Sequence, residues 1–183
     1  MLHCWCQARV SASSGAPAPL LFLQLHNCFK SGIAINRKYR GEPTGKSIKI
    51  GSIEAYVAEP TGKNIHKDTA ILYLPDVIGI WQNSQLMADQ LAVNGYYTII
   101  PDLFNGDALK INRPADFNLM EWLTKGTGGN NPHTYEYVDS IVEKSIAWLK
   151  DQGFKKIGSV GYCFVRQYNF LPPLPSSNKW PMC

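Results

Sequence analysis

Apolar residues fall into two patterns along the middle of the chain, short continuous runs and stripes at three- and four-residue spacing. Ala70-Ile71-Leu72-Tyr73-Leu74-Pro75 is nearly continuous apolar, which predicts a strand covered on both faces. Ser84 to Asn94 places Met87, Ala88, Leu91 and Ala92 on one helical face, and Gly95 supplies a natural C-terminal stop. Tyr96-Tyr97-Thr98-Ile99-Ile100 reads as a second buried strand, closed by Pro101-Asp102. A short helix is predicted from Ala115 to Leu123. From Thr134, a plausible N-cap, to Gln152, residues Val138, Ile141, Val142, Ser145, Trp148 and Leu149 mark the clearest helix, ended by Gly153. That helix feeds a third strand at Ile157. Upstream, Ile48-Lys49-Ile50 and Ile53-Glu54-Ala55-Tyr56-Val57-Ala58 alternate on either side of Gly51-Ser52, a hairpin signal. The pattern predicts an α/β domain over residues 41–164, with a mainly parallel sheet built from a βαβαβ series and an antiparallel hairpin at one edge.

Outside that region periodicity fails. Residues 1–40 carry Ser11-Ala12-Ser13-Ser14-Gly15-Ala16-Pro17-Ala18-Pro19 and no acidic residue, which suits a disordered extension or an organelle-targeting segment. Arginine is sparse before Arg37, which favours the plain extension. Residues 165–183 contain Pro172, Pro173, Pro175 and Pro181 and predict an irregular tail.

The net charge of +4 is unevenly placed: residues 1–41 carry +5, residues 42–164 carry −3 and residues 165–183 carry +2. A nucleic-acid binder is expected to hold its basic face on the folded domain, so this distribution speaks against one. Apolar content of 45% fits a globular chain, and no apolar run approaches the roughly 20 residues of a membrane span. The five cysteines, Cys4, Cys6, Cys28, Cys163 and Cys183, are odd in number with one inside the patterned region. That argues for a reducing compartment, taken as the cytoplasm, with mitochondrial targeting by residues 1–40 as the second reading. Cys4-x-Cys6 lacks the spacing of paired metal ligands, so no metal is expected. Two glycine motifs are decoys. Gly41-Glu42-Pro43-Thr44-Gly45-Lys46-Ser47 has three residues between its glycines where a phosphate-binding loop needs four, and it leads into a strand. Gly126-Thr127-Gly128-Gly129 follows a helix instead of a strand. No cofactor is implied.

The chemistry concentrates in Lys155-Lys156-Ile157-Gly158-Ser159-Val160-Gly161-Tyr162-Cys163-Phe164. A nucleophile at a sharp strand-to-helix turn needs small neighbours two before and two after it. Gly161 meets the first demand, while Val165 stands where a second glycine is expected. As a pentapeptide this leaves two readings of Cys163, a nucleophile or a buried core thiol. Its place at the carboxyl end of the third strand, where ligands gather in open parallel sheets, favours the nucleophile.

Gly45-Lys46-Ser47-Ile48, Leu74-Pro75-Asp76-Val77-Ile78-Gly79-Ile80, Met87-Ala88-Asp89-Gln90-Leu91-Ala92 with Asn94-Gly95-Tyr96, Ile100-Pro101-Asp102-Leu103-Phe104-Asn105-Gly106-Asp107, and Ile157 to Phe164 together resemble the dienelactone hydrolase family, especially its fungal members. The likeness covers residues 40 to 164. It implies an α/β-hydrolase fold and opening of a small ester or lactone by a cysteine–histidine–aspartate triad. By resemblance, Cys163 is the nucleophile, the backbone N–H groups of Val77 and Phe164 form the oxyanion hole, and Asp76 matches a carboxylate close to the thiol. In α/β-hydrolases the acid and the histidine follow the nucleophile in the chain. After Cys163 there is no Asp, Glu or His; His3, His26, His66 and His133 all precede it, and His133 reads as a polar residue at the start of the long helix. The expectation is therefore an N-terminal fragment of such a hydrolase with little turnover, an unpaired sheet edge, and a foreign tail from Val165. A non-catalytic scaffold that keeps the half-sheet is the alternative. The sequence fixes no oligomeric state.

Overall fold

The computed structural model describes residues 7–12, 41–62, 64–161 and 163. The strands are β1 (Gln7–Ala12), β2 (Lys46–Ile50), β3 (Ile53–Ala58), β4 (Thr69–Leu74), β5 (Tyr97–Pro101) and β6 (Lys156–Gly161). The helices are α1 (Gln82–Val93), α2 (Leu119–Lys125) and α3 (Tyr135–Asp151). All six strands form one sheet in the order β1-β6-β4-β5-β3-β2. Its centre is parallel, β4 pairing with both β5 and β6, and antiparallel strands lie on either side. The α/β class and the edge hairpin agree with the sequence pattern. β2 and β3 meet at Ile50↔Ile53, and Gly51 takes the left-handed φ of 61° that a two-residue hairpin demands.

β1 is the departure. It lies in the segment expected to be irregular, and it pairs antiparallel along the outer side of β6, from Gln7↔Gly161 to Ala12↔Lys156. The β6 edge expected to stand unpaired is therefore taken. Residues 13–40 and the tail from residue 164 lie outside the described residues.

Two apolar layers cover the sheet. Ile53, Ala55 and Val57 on β3, Ala70, Leu72 and Leu74 on β4, and Ile99 on β5 pack with Val138, Ile141, Val142 and Leu149 of α3. The intervening residues Tyr56, Ala58, Tyr73 and Ile100 face the other way, onto Ala88 and Ala92 of α1. Period-two alternation with both faces apolar is what makes these strands read as continuous hydrophobic runs. The α3 stripe buries Val138, Ile141, Val142, Ser145 and Leu149 as the spacing predicts. α2 begins later than predicted, because Asn118 caps it by accepting the Glu121 N–H at 3.1 Å.

The buried face of α1 differs from the expected one. Met87 and Leu91 are only partly buried, whereas Ser84 and Asp89 are buried beside Ala88 and Ala92. Asp89 is buried because it is bonded on both oxygens, accepting from Tyr56 Oη at 2.6 Å and from the Thr44 N–H at 2.8 Å. Gly45 N–H in turn donates to Tyr56 Oη at 2.7 Å. Gly45 lies so close that a Cβ there would meet the Val57 carbonyl oxygen at 2.3 Å. The glycine that resembled part of a phosphate loop is thus a close-approach point before β2. Burial, reinforced by the bond to Asp89, holds the Tyr56 phenol well above its ordinary pKa, so it remains a donor. Tyr56→Phe strands Asp89 Oδ1 and the Gly45 amide without a partner, while the Thr44 bond to Oδ2 remains. It is expected to cost about 1–3 kcal/mol in urea denaturation, with an unchanged slope of free energy on denaturant.

Candidate active site

Leu74 and Gly161, the last residues of β4 and β6, are register partners in the parallel ladder. Neighbouring strands lie about 4.8 Å apart, so the loops leaving these two ends start side by side. The chain passes from β4 to β5 on one side and from β5 to β6 on the other, and the crevice outside the carboxyl ends of such a pair is the usual ligand position in open α/β sheets. Asp76 and Cys163 are each two residues beyond the paired ends.

Cys163 has φ 58°, one of two left-handed non-glycine residues among those described. It is exposed and belongs to no disulfide. A side chain at positive φ is strained, and such strain concentrates where a turn must present a group outward. The exposure sets aside the core-thiol reading. Phe164, expected to supply one oxyanion donor, lies outside the described residues.

The loop after β4 is a tight polar turn. Asp76 Oδ1 accepts the Ile78 N–H at 2.9 Å, and its carbonyl accepts the Gly79 N–H at 2.9 Å. The Val77 carbonyl accepts the Leu109 N–H at 2.8 Å, while the Val77 N–H bonds to nothing among the described residues. Gly79 has φ 73°, and a Cβ there would come within 2.8 Å of Ala108 Cβ. Only glycine fits. The Gly79 carbonyl then accepts Ser84 Oγ at 2.9 Å, tying the turn to the first turn of α1. Burial pushes the Asp76 carboxyl above its usual range, against the Ile78 hydrogen bond and the more distant Arg113 charge.

The loop after β5 closes over the same end of the sheet. Asp102 accepts the N–H groups of Phe104 and Gly106. Asp107 Oδ2 accepts the Thr127 N–H at 2.8 Å and lies 2.8 Å from His133 Nε2. The His133 side chain is 0% exposed. Its ring is edge-on to Phe104 at 5.4 Å and tilted against Trp122 at 4.4 Å between centroids. Trp122 Nε1 donates to the Asp107 carbonyl at 3.1 Å. Burial works to raise the Asp107 carboxyl, but the Thr127 and His133 hydrogen bonds outweigh it, and the group titrates below its ordinary range. This pair was not legible in the sequence. Its members are 26 residues apart in the loop-rich connection, with no shared period, and His133 is a core residue instead of a polar helix start.

Among the described residues, no three His, Cys, Asp or Glu side chains converge as metal ligands do. A groove of about 250 Å³, lined by Thr44, Lys46, Glu59 and Asp89, sits by the start of β2 and the end of β3. Ala58 pairs with Thr98 near the start of β5, so this groove is at the opposite end of the sheet from Cys163.

The profile of the Dienelactone hydrolase family matches residues 53–168, more than half of the chain. The chain belongs to this family. It is 37% identical over 137 residues to Hydrolase tropI of Talaromyces stipitatus, an alignment covering 72% of this chain and 52% of that protein. It is 36% identical over 132 residues to Dienlactone hydrolase 1 of Gibberella moniliformis, covering 69% and 48%. It is 30% identical over 124 residues to the human Carboxymethylenebutenolidase homolog, covering 66% and 46%. The chain spans about half the length of these dienelactone hydrolase relatives. Among the described residues no helix is long and apolar enough to cross a membrane.

The raised carboxyl of Asp76 has a testable sign. Above the ordinary value of 3.8 the unfolded chain gives up this proton more readily than the folded one, so the group's contribution falls as pH rises from 3.8 to the folded pKa. Asp76→Asn keeps an acceptor for Ile78 and removes the titration. Subtracting its urea-unfolding free energy from that of the wild type at successive pH values is expected to show a decline across this window and a plateau above it.

Proposed function

We propose that Cys163 is the nucleophile of an ester- or lactone-opening reaction and that Val77 N–H, with Phe164 N–H, receives the oxyanion. One observation carries this reading. An exposed thiol at positive φ and a backbone N–H with no partner among the described residues leave neighbouring, register-paired strand ends. The thiolate adds to the carbonyl carbon, forming an S–C bond and moving the π pair onto oxygen. Two N–H donors stabilise that charge, an effect worth about 10²–10³ in rate for one such donor. Collapse of the tetrahedral adduct expels the alkoxide or enolate and leaves a thioester on Cys163.

Hydrolysis of the thioester needs a base to draw a proton from water. The 183 residues hold no His, Asp or Glu after Cys163, and His133 is buried with Nε2 engaged by Asp107. These residues by themselves therefore supply attack and oxyanion binding without the proton-handling half, and are acylated once with little turnover. The substrates are small esters or lactones, the chemistry the family implies. The setting is the cytoplasm, where the thiol stays reduced.

The test uses p-nitrophenyl acetate, whose phenolate leaves without a proton. The reduced chain is expected to release one equivalent of nitrophenolate assignable to Cys163 by peptide mass mapping, at least about tenfold faster than N-acetylcysteine acylates at the same pH. Cys163→Ala removes that phase. Acylation of Cys163 no faster than the free thiol overturns the proposal in favour of a non-catalytic scaffold.

A further inference from the structure

We infer that Asp107, paired with the buried His133, is a positioning device for the oxyanion donor Val77, acting through Leu109. The inference rests on the proposed role of Val77. It begins with an imidazole that is fully enclosed, which costs free energy unless its polar atoms are paired. Nδ1 has no partner among the described residues, so the bond from Nε2–H to Asp107 is the ring's one polar side-chain tie. The carboxylate only accepts, which fixes the proton on Nε2. Asp107 cannot shift without breaking this bond and those from Thr127 N–H and Trp122 Nε1.

The held segment reaches the site in two steps. Ala108 Cβ stands over Gly79, where there is no room for another carbon, and the Leu109 side chain is buried. Leu109 N–H then bonds the Val77 carbonyl at 2.8 Å. That carbonyl and the Ile78 N–H are the two polar ends of one peptide unit, and Asp76 Oδ1 grips the other end at 2.9 Å. A peptide pinned at both ends cannot rotate. The backbone that aims the Val77 N–H is thereby fixed from the far side of the loop, by residues that touch no substrate. Losing the Asp107 tie frees the carbonyl end, and a donor displaced by a fraction of an ångström loses much of its worth.

The experiment compares two reactions of the same thiol. Acylation by p-nitrophenyl acetate passes through an oxyanion, whereas alkylation by iodoacetamide does not, so their rate ratio at Cys163 reports the donors and not thiol access. Asp107→Ala and His133→Ala are expected to lower the ratio at least about tenfold with alkylation unchanged, and Asp107→Asn, which keeps an acceptor, to retain more of it. An elevated wild-type ratio that stays within twofold in the folded variants overturns the positioning role alone. A wild-type ratio no higher than that of N-acetylcysteine overturns both this inference and the nucleophile reading. Should the alanine variants not fold, amide exchange in His133→Phe, which removes the donor to Asp107 and keeps the bulk of a ring, decides: Leu109 exchanging at least tenfold faster while β4 stays protected supports the inference, and unchanged Leu109 exchange overturns it.

Discussion

The candidate site depends on the parallel ladder between β4 and β6. Their pairing from Thr69↔Lys156 to Leu74↔Gly161 is the longest parallel contact in the sheet, and it joins residues nearly ninety apart in sequence. Parallel strands cannot be joined by a tight turn, so the connection must leave the sheet, cover it and return. That detour is α1, β5, α2, α3 and the loops between them. The chain thus delivers two turns to one end of the sheet and buries the apolar faces that hold the strands in register. A slip of one residue in this register would move Leu72 and Leu74 from the α3 face of the sheet to the α1 face, so the packing that stabilises the fold also sets the spacing of Asp76 and Cys163.

Packing alone does not fix loops. Burial of apolar area is non-directional, and directional control comes here from buried and partly buried polar groups linking segments distant in sequence. At the amino end of the parallel strands, Asp89 joins Tyr56 and Thr44; at the carboxyl end, Asp107 joins His133 and Thr127. Each carboxylate gathers two or more donors, so desolvation is offset by charge-assisted bonds. Removing Tyr56 or Asp107 leaves the buried Asp89 Oδ1 or His133 Nε2 unpaired, which is why these ties resist substitution more than surface ion pairs such as Lys49–Glu54, both of whose side chains are more than half exposed.

What was legible in the sequence follows from the range of the interactions involved. The strands at Ala70 and Ile157, the α3 stripe and the Gly51 turn are written in local periodicity or a single required φ, and the structure reproduces them. Motif resemblance identified the family. The burial of Asp89 was not legible, because helical periodicity counts hydrophobic residues and cannot anticipate a carboxylate satisfied from 33 and 45 residues away. His133 was taken for a polar helix start for the same reason. β1 escaped because its pairing partner is β6, about 150 positions further along the chain, and nothing in Gln7–Ala12 announces it.

The division of chemical labour follows the order of the chain. In the proposed reading, the strained thiol of Cys163 and the Val77 N–H leave strand ends that the pairing of β6 with β4 sets side by side. Proton transfer in α/β-hydrolases is supplied by residues that come after the nucleophile, and it contributes a separate factor of about 10²–10⁴. The two factors act on different steps for different substrates. An ester with a good leaving group needs little general acid help to acylate a thiol, so oxyanion stabilisation governs that step, while deacylation of the resulting thioester depends on activating water. In that proposed reading, attack and oxyanion binding by themselves favour activated esters through kinetics and not through pocket shape, because only those substrates complete the half of the reaction that such geometry can promote.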